Sequence, residues 1–152
     1  MHGFVDFVAR RAWLVALLAG SLVQVMKFVA DWIRHRRPNF RVLVRTGGMP
    51  SSHSAGVCAL TTSIGLAEGF TSALFSVTLY FSLIVMYDAA GLRRAAGRQA
   101  AILNRIVDEE FMHHRARPED RLMELLGHTP FEVVVGAILG VFFAMALGTG
   151  TP

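Results

Sequence analysis

Cysteine is almost missing from this chain: Cys58 stands alone, inside an apolar stretch. That excludes an intrachain disulfide and any metal site built on several thiolates, and it leaves the redox compartment open. Internal repeats and low-complexity tracts are also absent, so the 152 residues have room for one domain. Nor does a small-x-small cleavage site close the first apolar run, 12–33, whose 22 residues exceed the roughly 7–15 of a signal-peptide core. The run reads as a retained span. What the chain has in excess is hydrophobic side chains, 53 % of the total, against roughly 45–50 % in soluble globular chains. Lipid, rather than a larger core, is the expected destination of that surplus. A net charge of +4 and a pI of about 10.2 would point to nucleic acid in a soluble protein. Here the cations alternate with long apolar runs, so the expected partners are the lipid bilayer and a phosphorylated ligand, with no nucleic acid.

Four stretches, 12–33, 54–68, 70–90 and 130–147, approach the roughly 20 residues needed to cross about 30 Å of hydrocarbon. The expected fold is therefore all-α, a polytopic membrane helix bundle of about four spans. The second stretch is short, and the tight Glu68-Gly69 link predicts that it forms a helical hairpin with the third. Between spans three and four, Leu92, Ala96, Ala100, Leu103, Val107 and Phe111 recur every three or four positions, the pattern of an amphipathic helix lying along the membrane interface. Arg117-Pro118-Glu119 breaks it, and a second short helix is expected to run to Leu126 and stop at Gly127. Arginines sort by side. Arg34, Arg36, Arg37, Arg41 and Arg45 follow span one, and Arg93, Arg94, Arg98, Arg105, Arg115, Arg117 and Arg121 follow span three, leaving Arg10 and Arg11 opposite. The positive-inside rule places both connections on the cytoplasmic face of a cell-membrane protein, with both termini outside. Gly65, Gly136 and Gly140 are expected to face lipid, where a second protomer of a homo-oligomer would cover them.

Polar residues within apolar spans mark the candidate chemistry, because charge at bilayer depth is expensive. Lys27 shares a helical face with Gln24 and Asp31; it either pairs with Asp31 or points into the bundle to hold an anion. Thr46-Gly47-Gly48-Met49-Pro50-Ser51-Ser52-His53 ends a basic loop and starts a span, so its hydroxyls and free N–H groups suit phosphate oxygens, or else Ser51 or Ser52 simply caps the helix. Gly127-His128-Thr129-Pro130-Phe131-Glu132 starts another span. There Glu132 stands close enough to fix the tautomer of His128, or merely favours the helix dipole. Asp88, at the end of span three, can orient Arg93 or Arg94 toward a shared anion. Glu110-x-x-His113 resembles half of a di-iron motif, but the chain offers one copy only, and no metal site is expected.

Four ordered blocks, Lys27, TGGMPSSHSA (46–55), YDAAGLRRAAGRQAAILN (87–104) and LGHTPFEVVVGAILG (126–140), resemble the divergent branch of the type 2 phosphatidic acid phosphatase and vanadium-dependent haloperoxidase superfamily. The resemblance implies a metal-independent, cofactor-free membrane phosphatase acting on a lipid or isoprenoid phosphate. His128 resembles the nucleophile, Glu132 its orienting carboxylate and His53 the general acid. Ser51, Ser52 and Lys27 resemble phosphate-binding positions, joined by Arg93, Arg94 or Arg45, with Asp88 beside them. The pattern departs from the superfamily in Ser52 for glycine, Glu132 for aspartate, and Leu122 where an arginine six positions before the nucleophile is usual. That last departure keeps a second expectation open, a non-catalytic protein on the same fold that binds an anionic lipid headgroup or serves as an adaptor or transporter subunit.

Overall fold

The computed structural model describes residues 11–43, 48–110, 122 and 127–148. They form five α-helices: α1 (Ala12–His35), α2 (Ser52–Glu68), α3 (Ala73–Ala90), α4 (Leu92–Glu110) and α5 (Pro130–Gly148), with a 3₁₀ turn at Phe40–Leu43. Arg45, the 111–121 stretch with His113 and His114, and the short helix expected before Gly127 lie outside the described residues.

The helix ends follow local chemistry. The Ser51 side chain caps α2 by accepting from Ser54 N–H, and Ser72 does the same for α3 through Phe75 N–H. Gly69, at φ 89, ends α2 where a side chain would be strained. Because residues 70–72 complete that turn and Ser72 supplies the cap, the third helix starts at Ala73, later than the apolar run implies. Phe70 instead packs edge-on against Phe75, with ring centroids 5.2 Å apart, over the bare Cα of Gly65.

Close approaches set the helix directions. A side chain at Gly136 would strike the Ser51 carbonyl and one at Gly140 the Ala55 carbonyl, so the register advances in the same sense and α2 and α5 run parallel. Across the other face of α2, a side chain at Gly20 would press on the Ser52 carbonyl and one at Gly56 on the Ala16 carbonyl, so α1 runs antiparallel to α2. The α3 contacts are antiparallel as well: Thr61 Oγ1 lies 2.7 Å from Ser82 Oγ, and Cys58 Sγ donates to Met86 Sδ at 3.7 Å. Hydroxyl pairs of this kind hold helices together where lipid tails remove the hydrophobic drive.

Helix α2 is thus the centre of the bundle, and its small residues Ser54, Ala55, Ala59, Ser63 and Gly65 are buried. Val15, Ala19, Ala59 and Ala144 form the core from three helices. The large apolar side chains point outward: Leu17, Leu22, Val77, Phe81, Ile138 and Phe142 are all exposed, the inverse of a soluble domain and the arrangement lipid requires. Among the described residues, three helical stretches are long and apolar enough to cross a membrane, Ala12–His35, Ala73–Glu109 and Pro130–Leu147. At 17 residues α2 spans about 25 Å, short of the hydrocarbon core, and it is sheathed by its neighbours instead.

Two expectations change. Gly136 and Gly140 do not face lipid; they are buried against the backbone of α2, and Gly65 is buried beneath Phe70 and Phe75, so none of the three awaits a second protomer. The amphipathic helix expected after span three does form as α4, with Leu103 and Val107 exposed, while Ala100 from the same apolar series turns inward beside buried Asn104.

Candidate active site

Because α2 and α5 run parallel, their starts meet at one end of the bundle, with His53 in the first turn of α2 and His128 two residues before α5. The His53 and His128 ring centroids are 6.3 Å apart and the planes nearly perpendicular, at 76°. Their environments differ. His53 is exposed, whereas His128 is only 3 % exposed, and the His128 N–H donates to the Ala89 carbonyl at 2.9 Å, tying the start of α5 to the last turn of α3.

Ser51 is fully buried; its N–H donates to the Glu132 carbonyl at 3.1 Å, and its hydroxyl oxygen accepts from Ser54 N–H and Ser54 O–H at 3.3 and 3.0 Å. The capping alternative is therefore realised at Ser51. Ser52 is half-buried, with its carbonyl against Gly20. Gly48, at φ 81, and a cis Met49-Pro50 peptide lead the chain into this turn.

Thr129 and Glu132 form a capping box. Thr129 N–H donates to Glu132 Oε2 at 3.1 Å, and Glu132 N–H donates to Thr129 Oγ1 at 3.3 Å. One carboxylate oxygen thus holds the turn that carries His128, and the Glu132 charge also acts on Lys27. Lys27, the only lysine of the chain, is 8 % exposed and continues the inward stripe Val15, Ala19, Val23 along α1. Its neighbours on the same helix turn elsewhere: Asp31 Oδ1 lies 3.1 Å from His35 Nδ1, and Gln24 Nε2 donates to the Val42 and Leu43 carbonyls at 3.2 and 3.0 Å, folding the 3₁₀ turn back onto α1. The inward reading of Lys27 is the one the geometry favours.

Asp88 lies in the last turn of α3 and is half-buried beside Ala89. Arg93 and Arg94 follow Leu92 in the first turn of α4, just past the Gly91 link. Two helix N-termini, each carrying roughly half a positive charge, together with Lys27 make this end favourable to an anion.

The sequence patterns did not single out Asn104. It is 7 % exposed, and its side chain clasps one peptide from both sides, Nδ2 donating to the Leu122 carbonyl at 2.9 Å and Oδ1 accepting from Leu122 N–H at 3.0 Å. Leu122 stands where the superfamily carries an arginine, so the backbone at that place is anchored although its side chain is apolar and 49 % exposed. Asn104→Leu is expected to weaken the anchorage by about 1–3 kcal/mol, the cost of unmade buried hydrogen bonds. Faster limited proteolysis next to Leu122, with the helical signal unchanged, is the readout.

A helical membrane bundle that gathers two histidines, a buried lysine and two parallel helix starts at one end is the class these features define. The four-block resemblance is borne out: the chain belongs to the Divergent PAP2 family, which matches residues 8–143. It is similar to the protein named Uncharacterized membrane protein YuiD from Bacillus subtilis (strain 168), 38 % identical over 144 residues that cover 88 % of this chain and 91 % of the relative. No solved structure matches it.

Proposed function

We propose that this protein is a metal-independent membrane phosphatase that hydrolyses a lipid or isoprenoid phosphate through a phosphohistidine. The observation that carries the reading is the convergence of His53 and His128, 6.3 Å apart by ring centroid, at the shared N-terminal end of α2 and α5. In-line transfer needs an attacking nitrogen about 3–3.5 Å from phosphorus and an acid about 2.6–3.2 Å from the leaving oxygen on the far side. The two rings stand together at one end, and they must part by a few ångströms for one phosphoryl group to enter in line between them.

His128 uses a nitrogen lone pair to form the N–P bond while the P–O bond to the lipid breaks, and His53 gives its proton to the departing oxygen. Water then attacks phosphorus, with His53 taking its proton, and the N–P bond breaks to free phosphate and His128. Glu132 steadies the turn that presents His128. Lys27, the α2 and α5 amides and an arginine from Arg93, Arg94 or Arg45 stabilise the equatorial oxygens, where charge accumulates. Arg34, Arg36, Arg37 and Arg41 lie at or beyond the same end of α1, and Arg11 at the other, which supports a site on the cytoplasmic face of the cell membrane.

A second reading, binding of an anionic headgroup without turnover, is favoured by Leu122 in place of arginine. Phosphate release from phosphatidic acid and an isoprenoid phosphate, measured on the purified protein with and without chelator, separates the two. The phosphatase reading expects release insensitive to chelator and thermal protection by vanadate that His128→Ala removes. Absence of both release and vanadate protection supports the binding reading.

A further inference from the structure

A groove of about 370 Å³ opens along the outer side of the α1–α2 contact, within the range of about 300–1,000 Å³ typical of small-molecule sites. Its α1 wall runs from Gln24 through Ser21 and Gly20 to Leu17 and Ala16, and its α2 wall from His53 to Val57. The two helices are antiparallel here, with Gly20 level with Ser52 and Ala16 with Gly56, so Gln24 stands at one end, His53 part-way along beside Gly20, and Ala16 and Val57 at the other end. The groove therefore passes the candidate general acid and becomes apolar beyond it. Four residues of α2 separate His53 from Val57, a run of about 6 Å. Bare Cα positions at Gly20 and Gly56 let the helices meet closely beneath it, and both Leu17 and Ser21 are exposed on a helix long and apolar enough to cross the membrane.

We propose that this groove seats the first part of the hydrocarbon chain of the phosphorylated lipid, with its phosphate at His53 and His128. The proposal rests on the phosphatase reading for the position of the headgroup. His53 belongs both to the ring pair and to the groove lining, so a lipid whose phosphate lies between the histidines has this channel as the continuous apolar path for its tail. A groove open along its length to lipid also admits the chain laterally, without lifting it into water.

The full chain in nanodiscs, irradiated with phosphatidic acid carrying a diazirine near the head of one acyl chain, tests this by mass spectrometry of the adducts. The expected adducts lie on Leu17, Ser21 or Val57. Filling the groove with Ser21→Trp or Leu17→Trp is expected to lower them by about tenfold, whereas Val77→Trp on the exposed face of α3 leaves them as they are. A diacylglycerol carrying the same diazirine is expected to give few adducts there. Adducts spread over α3 and α5, or equal labelling by the diacylglycerol, overturn the proposal, because they show bilayer lipid rather than a seated substrate. Phosphate release in the same samples keeps the two readings apart. Turnover without groove adducts overturns the tail site alone, and groove adducts that need the phosphate, without turnover, uphold the tail site and count against the phosphatase.

Discussion

His128→Ala is expected to lower phosphate release from a lipid phosphomonoester by about hundredfold or more, at the scale of losing an essential catalytic imidazole. The substitution spares the bond that positions this turn, since it is the His128 backbone N–H that donates to the Ala89 carbonyl, and the Thr129–Glu132 box does not involve the ring. His128→Gln, closer in volume, is expected to fold like the parent and to be equally inactive. His53→Ala is expected to behave differently. An alkyl phosphate, with a poor leaving group, depends on the acid and loses about hundredfold, whereas an aryl phosphate, whose leaving oxygen needs no proton, loses much less. The nucleophile variants should lose both substrates alike. If His53→Ala and His128→Ala show the same dependence on leaving group, the division of labour between the two rings is wrong.

Gly140→Ala is expected to be among the most damaging single substitutions in the bundle. Its new methyl would collide with the Ala55 carbonyl, and backbone cannot step aside as a flexible side chain can, so α5 must move off α2. Overpacking of this kind costs about 1–3 kcal/mol. The same shift would carry the start of α5, and His128 with it, away from His53. Thermal unfolding in detergent checks the first consequence, and loss of activity at temperatures where the variant is still folded checks the second. Ile138→Ala, on the exposed side of the same helix, is the comparison and is expected to change little.

Much of this architecture was legible in the residues. Three of the apolar runs became helices long enough to span, and the amphipathic series after Gly91 became α4. A serine cap at the start of α2 and a tight turn at Glu68-Gly69 follow from local rules that need no partner, and the structure chooses Ser51 over Ser52. What the sequence hid was pairing. Gly136 and Gly140 announce a close approach four residues apart, but nothing in their spacing says whether the neighbour is lipid, a second copy or the backbone at Ser51 and Ala55. The run that becomes helix α2 is the shortest of the four, and its small residues let three helices crowd around it. Thr129-x-x-Glu132 is a readable capping box, and its presence gives Glu132 a structural duty beside the one suggested by its distance from His128. Asn104 left no signal, since its partner is a backbone peptide eighteen positions away.

Radiolabelled lipid phosphate, mixed with the protein for one turnover and quenched in alkali, tests the central claim most directly. Phosphohistidine survives alkali and is lost in acid, and proteolysis with mass spectrometry locates it. The label is expected on the peptide containing His128, absent in His128→Ala and slower to form from an alkyl phosphate in His53→Ala. Label on His53 instead, or phosphate released with no protein-bound label at any time point, would contradict a reaction that passes through His128.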